Sequence, residues 1–297
     1  MSRKREKKVR EKVYFILSMV IFGAVGVFAK YIDLAASEIA LFMSLIGSLF
    51  LFIICISTKR NISWQNVKKN APVLLLSSVA LGGNWIFLFQ SYKETTIANA
   101  ALSYYFAPVL VIVMSPIVLK EKLSLKKMIC VGAALLGLLF IVQSGGNEGT
   151  GHHLLGIIYG LIAAAFYAIL TLTNKFIRNM DGLESTLSQL LLSAVLLIPY
   201  VLMTEGFDLF RISGNSMILI LILGVLHTGV GFYLFFSGMR GLEGQSIAVL
   251  SYIDPLASLV ISALVIGEKM TLFQMLGAVL LLGSTFISEA GRKKKSV

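Results

Sequence analysis

A carboxylate and a proline stand side by side inside an apolar run, Tyr252-Ile253-Asp254-Pro255-Leu256. Proline has no N–H to give, so it frees a helix carbonyl one turn earlier and kinks or breaks the helix there. A charged side chain at membrane depth costs about 2.5–3.5 kcal/mol on insertion scales and therefore faces a cavity or a partner. A carboxylate beside unwound backbone equips a cation or proton site. Its plainer alternative is a carboxylate near a helix end paired with a neighbouring cation. A second titratable group, His227, lies in Leu226-His227-Thr228-Gly229. An imidazole, with an ordinary pKa of about 6.5, carries protons across the physiological range. A histidine bonded to the carbonyl of an adjacent helix fits the same residues. His227 and Asp254 are thus the candidates for proton coupling.

Amides and aromatics make up the rest of the chemistry. Gly82-Gly83-Asn84-Trp85 offers an amide and an indole where glycine admits a second helix or a substrate, and Gln90 follows. Asn99 and Ser103 recur at helical spacing beside Tyr104-Tyr105. Phe232, Tyr233 and Tyr252 hold comparable places later in the chain. Such an aromatic box with few polar groups suits an amphipathic or cationic metabolite, although Tyr104 and Tyr14 also fit a membrane-interface belt. The substrate-binding set read from these residues is Asn84, Trp85, Asn99, Ser103, Tyr105, Phe232, Tyr252 and Asp254. No nucleophile–base pair, paired carboxylates or His-rich cluster is present, so no catalytic residue is assigned. Cys55 and Cys130 sit in apolar runs without Cys or His at metal spacing, and packing accounts for them; no metal or cofactor is expected.

The elements that must hold these groups are set by composition. With 57% hydrophobic and 14% charged residues in 297, the chain carries more apolar surface than a soluble domain buries. The apolar runs number about ten, each close to bilayer length. They cover 13–28, 39–56, 72–89, 97–119, 128–142, 154–172, 187–203, 217–236, 246–266 and 272–287. The first has the basic start of a signal peptide but no small-residue cleavage site, so it reads as a retained helix. The predicted class is an all-α integral membrane protein whose partners are the lipid bilayer and a small-molecule substrate. A net charge of +11 is spread between spans and at both ends, which favours topology over nucleic-acid binding. Counting spans from a cytoplasmic N-terminus puts nearly all Lys and Arg inside and leaves Lys30, Lys93, Arg211 and Lys269 outside or at outer helix ends. Both termini are then cytoplasmic.

The chain also repeats itself. One constant shift carries Gly82 onto Gly229, Tyr105 onto Tyr252, Pro108 onto Pro255 and Glu121-Lys122 onto Glu268-Lys269. A period of about 150 residues is too long for a solenoid and marks a duplicated half-domain. An odd number of spans per copy inserts the second half upside down. The predicted organisation is a basic cytoplasmic arm at 1–12, a five-helix repeat at 13–144, a Gly-rich linker at 145–153, a second five-helix repeat at 154–290 and a basic cytoplasmic tail at 291–297. The linker lacks the strand and Lys-Ser/Thr of a phosphate loop, and His152 and His153 within it read as solvated. Lys30 and Lys175 both end helices, where long cationic side chains snorkel to the interface.

On these marks the chain resembles the EamA-like branch of the drug/metabolite transporter superfamily, built from two inverted five-helix halves. The resemblance rests on Pro108 and Pro255 and on the paired motifs Glu121-Lys122-Leu123-Ser124 and Gly267-Glu268-Lys269-Met270-Thr271. It implies that Lys30, at the end of the first helix, joins the substrate-binding set. Two positions depart from the pattern: Ser44 stands where many relatives carry Arg, and Lys120 where the second copy has Gly267. The implied function is secondary transport, in the direction of export, of an amino acid or similar amphipathic or cationic metabolite across the plasma membrane by alternating access. The working unit is a monomer or a homodimer. An uncoupled facilitator or channel-like pore is the first alternative, and an integral-membrane enzyme the second. The absence of a Walker A sequence speaks against an ATP-driven pump.

Overall fold

Lipid gives helices no hydrophobic reason to associate, so membrane bundles are held by close backbone approach at small residues and by buried polar bonds. The computed structural model describes residues 3–60, 62–120, 124–143, 153–205, 212–239, 242, 247 and 250–290. Regular structure among the described residues is entirely helical. Eight helical stretches are long and apolar enough to cross a bilayer, and shorter apolar helices follow at Ile253–Ile266 and Leu272–Ser288. Large apolar side chains point outward along them, with Ile117 81%, Leu264 80% and Met203 86% exposed, as lipid solvation requires.

The first half comprises α1 (Arg3–Gly23), α2 (Val25–Lys30), α3 (Ala36–Ser57), α4 (Trp64–Lys69), α5 (Ala71–Glu94), α6 (Ile97–Tyr104), α7 (Ala107–Leu119) and α8 (Leu125–Gln143). The second comprises α9 (His153–Asn174), α10 (Gly182–Thr204), α11 (Gly214–Leu221), a π-helical stretch Ile222–Val230, α12 (Gly231–Met239), α13 (Ile253–Ile261), a second π-helical stretch Ser262–Ile266 and α14 (Leu272–Ala290). Helix starts follow local capping chemistry. Thr96 Oγ1 accepts from the Asn99 N–H at 3.2 Å, and Asp181 Oδ1 from the Glu184 N–H at 2.8 Å.

Some boundaries differ from those read in the sequence. Helix α1 begins at Arg3, inside the segment read as an arm, because Lys, Arg and Glu are good helix formers. His153 opens α9 rather than closing a solvated linker. The linker at 144–152, Glu121-Lys122 and the tail at 291–297 lie outside the described residues.

The fourth apolar run is broken at Tyr105, which caps α6 before α7 begins at Ala107. The ninth is turned at Tyr252, the N-cap of α13. Each break stands three residues ahead of a proline, Pro108 or Pro255. A proline cannot donate to the carbonyl four residues back, and its ring crowds that carbonyl.

The halves exchange elements. Helix α1 packs against α12 and α13, and α9 packs against α5, α6 and α7; α3 lies on the Ile222–Val230 stretch, α10 on α3 and α5, and α8 on α14. Glycines make the crossings tight. A Cβ on Gly137 would sit 2.7 Å from the Gly277 carbonyl oxygen, and one on Gly23 2.6 Å from that of Asp254. Polar bonds reinforce them: Asn84 Nδ2 donates to the Ala163 carbonyl at 2.8 Å and Ser91 Oγ to that of Gly156 at 2.7 Å, both buried. The main core, with Ile39, Leu51, Phe89 and Leu190 fully enclosed, lies between the two halves.

Candidate substrate-binding site

Asp254 occupies the first turn of α13, where the positive end of the helix favours a carboxylate. Its side chain is half-buried. The Tyr105 hydroxyl, carried on the break between α6 and α7, stands beside it. The tyrosine therefore comes from the first half and the carboxylate from the second. Tyr92 and Tyr104 stand close enough to share the field of the carboxylate. Tyr104 meets Tyr105 with ring centroids 5.6 Å apart and Tyr167, from α9, edge-on at 5.6 Å. The Tyr92 ring rests on Gly26 of α2, where an added Cβ would approach it to 2.8 Å. Three tyrosines from α5, α6 and the α6–α7 break thus stand around one carboxylate at the seam between the halves, with Tyr167 of α9 packed on Tyr104. Tyr105 lies about 12 Å along the helix axis from Ile97, near the middle of its span.

Such a cluster offers a negative charge, aromatic faces and hydroxyls. A cation over an aromatic face gains about 0.5–2 kcal/mol, and a carboxylate adds a charge-assisted hydrogen bond. A primary or secondary ammonium satisfies both.

The other sequence-chosen residues divide among several places. Asn84 donates to the Ala163 carbonyl beside Tyr104, so it buttresses the cluster from α5. Ser103 bonds the Ala100 carbonyl and fills the space over Gly160. Trp85 is packed in the main core at 9% exposure. Tyr252 meets Phe286 edge-on at 5.5 Å, and Phe232 packs on Phe22 at 5.3 Å. Asn99 accepts from Gln274 Nε2 at 2.9 Å, near the start of α6. Lys30 is ion-paired with Glu268 at 3.1 Å at that same end of the bundle. His227 is buried in the π-helical stretch with its ring edge-on to Phe28 at 5.1 Å. Its Nδ1 lies 3.5 Å from the Ile222 carbonyl, while Nε2 has no partner among the described residues. A shallow hollow outside that stretch, lined by Ile218, Leu221, Ile222, Val225 and Leu226, contains no polar side chain and faces lipid.

Sequence reasoning missed Tyr92, Tyr167, Glu268 and Gln274 as members of polar or aromatic clusters. Tyr92 follows Trp85 by two helical turns, a spacing that places both on one side of α5. Tyr167 carries no comparable signal.

The family profile described as the EamA-like transporter family matches this chain twice, over residues 11–143 and 154–289. The chain belongs to the EamA-like transporter family. The double match spans both halves and fits the repeat read from Pro108 and Pro255. Among curated relatives, "Uncharacterized transporter YxxF" of Bacillus subtilis (strain 168) is 30% identical over 98% of this chain and 93% of its own. An "Uncharacterized transporter" of Archaeoglobus fulgidus is 28% identical over 92% and 94%. A Salmonella typhimurium protein named "Probable amino-acid metabolite efflux pump" is 26% identical over 75% of this chain and 79% of its own. A crystal structure that is 18% identical superposes with a TM-score of 0.65, covering 93% of this chain and 97% of that one, and shows the same fold. With its apolar helices, the chain is a multi-pass membrane transporter of this family.

Proposed function

We propose that this EamA-like protein exports a small amphipathic metabolite bearing an ammonium group, of the amino-acid class, across the plasma membrane by alternating access. The observation that carries the reading is the Asp254 carboxylate set beside Tyr105 of the opposite half, with Tyr92 and Tyr104 close by and Tyr167 packed on Tyr104. Its position between two copies of one helical unit places it where rocking of the halves would turn it from one face to the other. The double profile match and the placement of Lys and Arg between the spans support an inverted repeat with both termini cytoplasmic. The name of the Salmonella relative points to the same substrate class and direction.

In this reading Asp254 binds either the ammonium of the substrate or a proton. Competition for one carboxylate couples substrate leaving to a proton entering, without ATP. His227, buried one element away against Phe28, serves as a second proton-accepting group on α2's flank.

The test is thermal unfolding of the purified protein against a panel of amino acids, their decarboxylated amines and their deaminated acids. A ligand at 100 times its Kd stabilises the bound state by about 2.7 kcal/mol. Stabilisation by the ammonium-bearing members, absent in Asp254→Asn, is the expected result. Equal stabilisation by the deaminated acids refutes the substrate class.

A further inference from the structure

The Glu268 carboxylate is bound from three directions by the first half. Lys30 Nζ donates to Oε1 at 3.1 Å, the Ile97 N–H to Oε1 at 2.9 Å and the Ala98 N–H to Oε2 at 3.2 Å. Ile97 and Ala98 open α6, so the carboxylate sits on the positive end of the segment that finishes beside Tyr105. Lys30 ends α2, whose Gly26 supports the Tyr92 ring. Glu268 itself follows Gly267, whose φ of 74° turns the chain back after the α13 span. One residue therefore fastens three elements that carry or support the Asp254 cluster: α2, α6 and the segment continuing α13.

The link is partly withdrawn from water. The Glu268 side chain is 10% exposed and that of Lys30 31%. Removing one partner from such a buried pair leaves an uncompensated charge, so the link is either made in full or given up to water. A neutral bond beside it joins the same region again: Gln274 of α14 donates to Asn99 on the first turn of α6. The Arg60–Asp181 pair at the other end of the bundle has side chains 29% and 49% exposed.

We infer that Glu268 is the latch of the mouth at the Lys30 end. With its carboxylate on the α6 amides and on Lys30, that mouth is shut; its release frees α6 to swing and opens a way to the Asp254 cluster. What the latch guards rests on the reading of Asp254 as the substrate site, whereas the closure itself does not.

The test reads access directly. In a Cys55→Ala/Cys130→Ala background in lipid nanodiscs, Ala98→Cys is a reporter beside the latch and Ala101→Cys a second reporter deeper in α6. Ala98 and Ala101 are 3% and 1% exposed, so a membrane-impermeant maleimide reaches them only when this end opens. Glu268→Gln, which keeps the shape and loses the charge, and Lys30→Gln are each expected to raise the labelling rate at least tenfold at one reporter or both. The charge exchange Lys30→Glu/Glu268→Lys restores an ion pair but points an ammonium at the α6 amides, and labelling should stay fast. Unchanged labelling at both reporters in Glu268→Gln overturns the latch, and so does recovery of slow labelling in the charge exchange. Asp254→Asn should leave labelling slow while abolishing ammonium-dependent stabilisation, so the latch and the substrate site stand or fall separately.

Discussion

Replacing Gly160 by alanine tests the seam between the halves at a single atom. The new Cβ would lie 2.0 Å from Ser103 Oγ, 3.0 Å from Ser103 Cβ and 3.2 Å from Ser91 Oγ. Ser103 can turn its hydroxyl aside only by giving up its 2.9 Å bond to the Ala100 carbonyl, a loss of about 1 kcal/mol. The Cβ–Cβ contact would remain too short, so α9 and α6 must also part by several tenths of an ångström. Overpacking of this kind costs about 1–3 kcal/mol, against a gain of about 1 kcal/mol when alanine replaces a helical glycine. The expected net destabilisation is about 2 kcal/mol. Ser103→Gly removes both near atoms of Ser103 and should restore most of the loss in the double variant, giving a coupling of about 1.5 kcal/mol in a double-mutant cycle. Midpoints of unfolding of the purified proteins in detergent measure the four corners. A neutral Gly160→Ala, or one that Ser103→Gly fails to relieve, refutes the packing of α9 on α6.

Other variants separate site from scaffold. Tyr105→Phe removes the hydroxyl that stands beside Asp254 while keeping the ring; if that hydroxyl bonds the carboxylate or the bound substrate, an interaction worth about 1.5–3 kcal/mol is lost, and transport KM should change by at least tenfold with expression unchanged. At Gly267 a Cβ would meet nothing within 4 Å, so Gly267→Ala reports backbone strain alone at φ 74°, with an expected loss of about 1–2 kcal/mol in unfolding. Arg60→Ala breaks an exposed pair and should move stability by less than about 1 kcal/mol, an effect that salt diminishes.

The turn ahead of Pro255 was legible because proline chemistry is local. The equivalent break ahead of Pro108 was not, since 97–119 reads as one span, yet the tyrosines three residues before both prolines fall on the breaks. Asp254 was legible for a related reason, since a charge in an apolar run must find a cavity or a partner. Its neighbours were not legible, because Tyr92 and Tyr104, with Tyr167 packed on Tyr104, converge across packed helices rather than along one. Asn84 shows the same limit from the other side. As a lone amide in an apolar helix it reads as a lining residue, yet the Gly156, Gly160 and Ala163 side of α9 comes so close that one of its bonds goes to the Ala163 carbonyl. Glu268 was read only as half of a repeated motif. Its contacts with Lys30 and the start of α6 depend on the turn at Gly267, and no spacing in the sequence encodes that reach. Lys30, read as a substrate contact through family resemblance, is occupied by that carboxylate.

Counterflow of a labelled amino compound into proteoliposomes, compared between the natural chain and Asp254→Asn, tests the proposed carrier most directly. Uptake that saturates and is driven by unlabelled compound inside, abolished in Asp254→Asn with the protein inserted at normal levels, is the predicted result. Saturable counterflow of unchanged magnitude in Asp254→Asn, or flux that rises linearly with concentration in the natural chain, would contradict it.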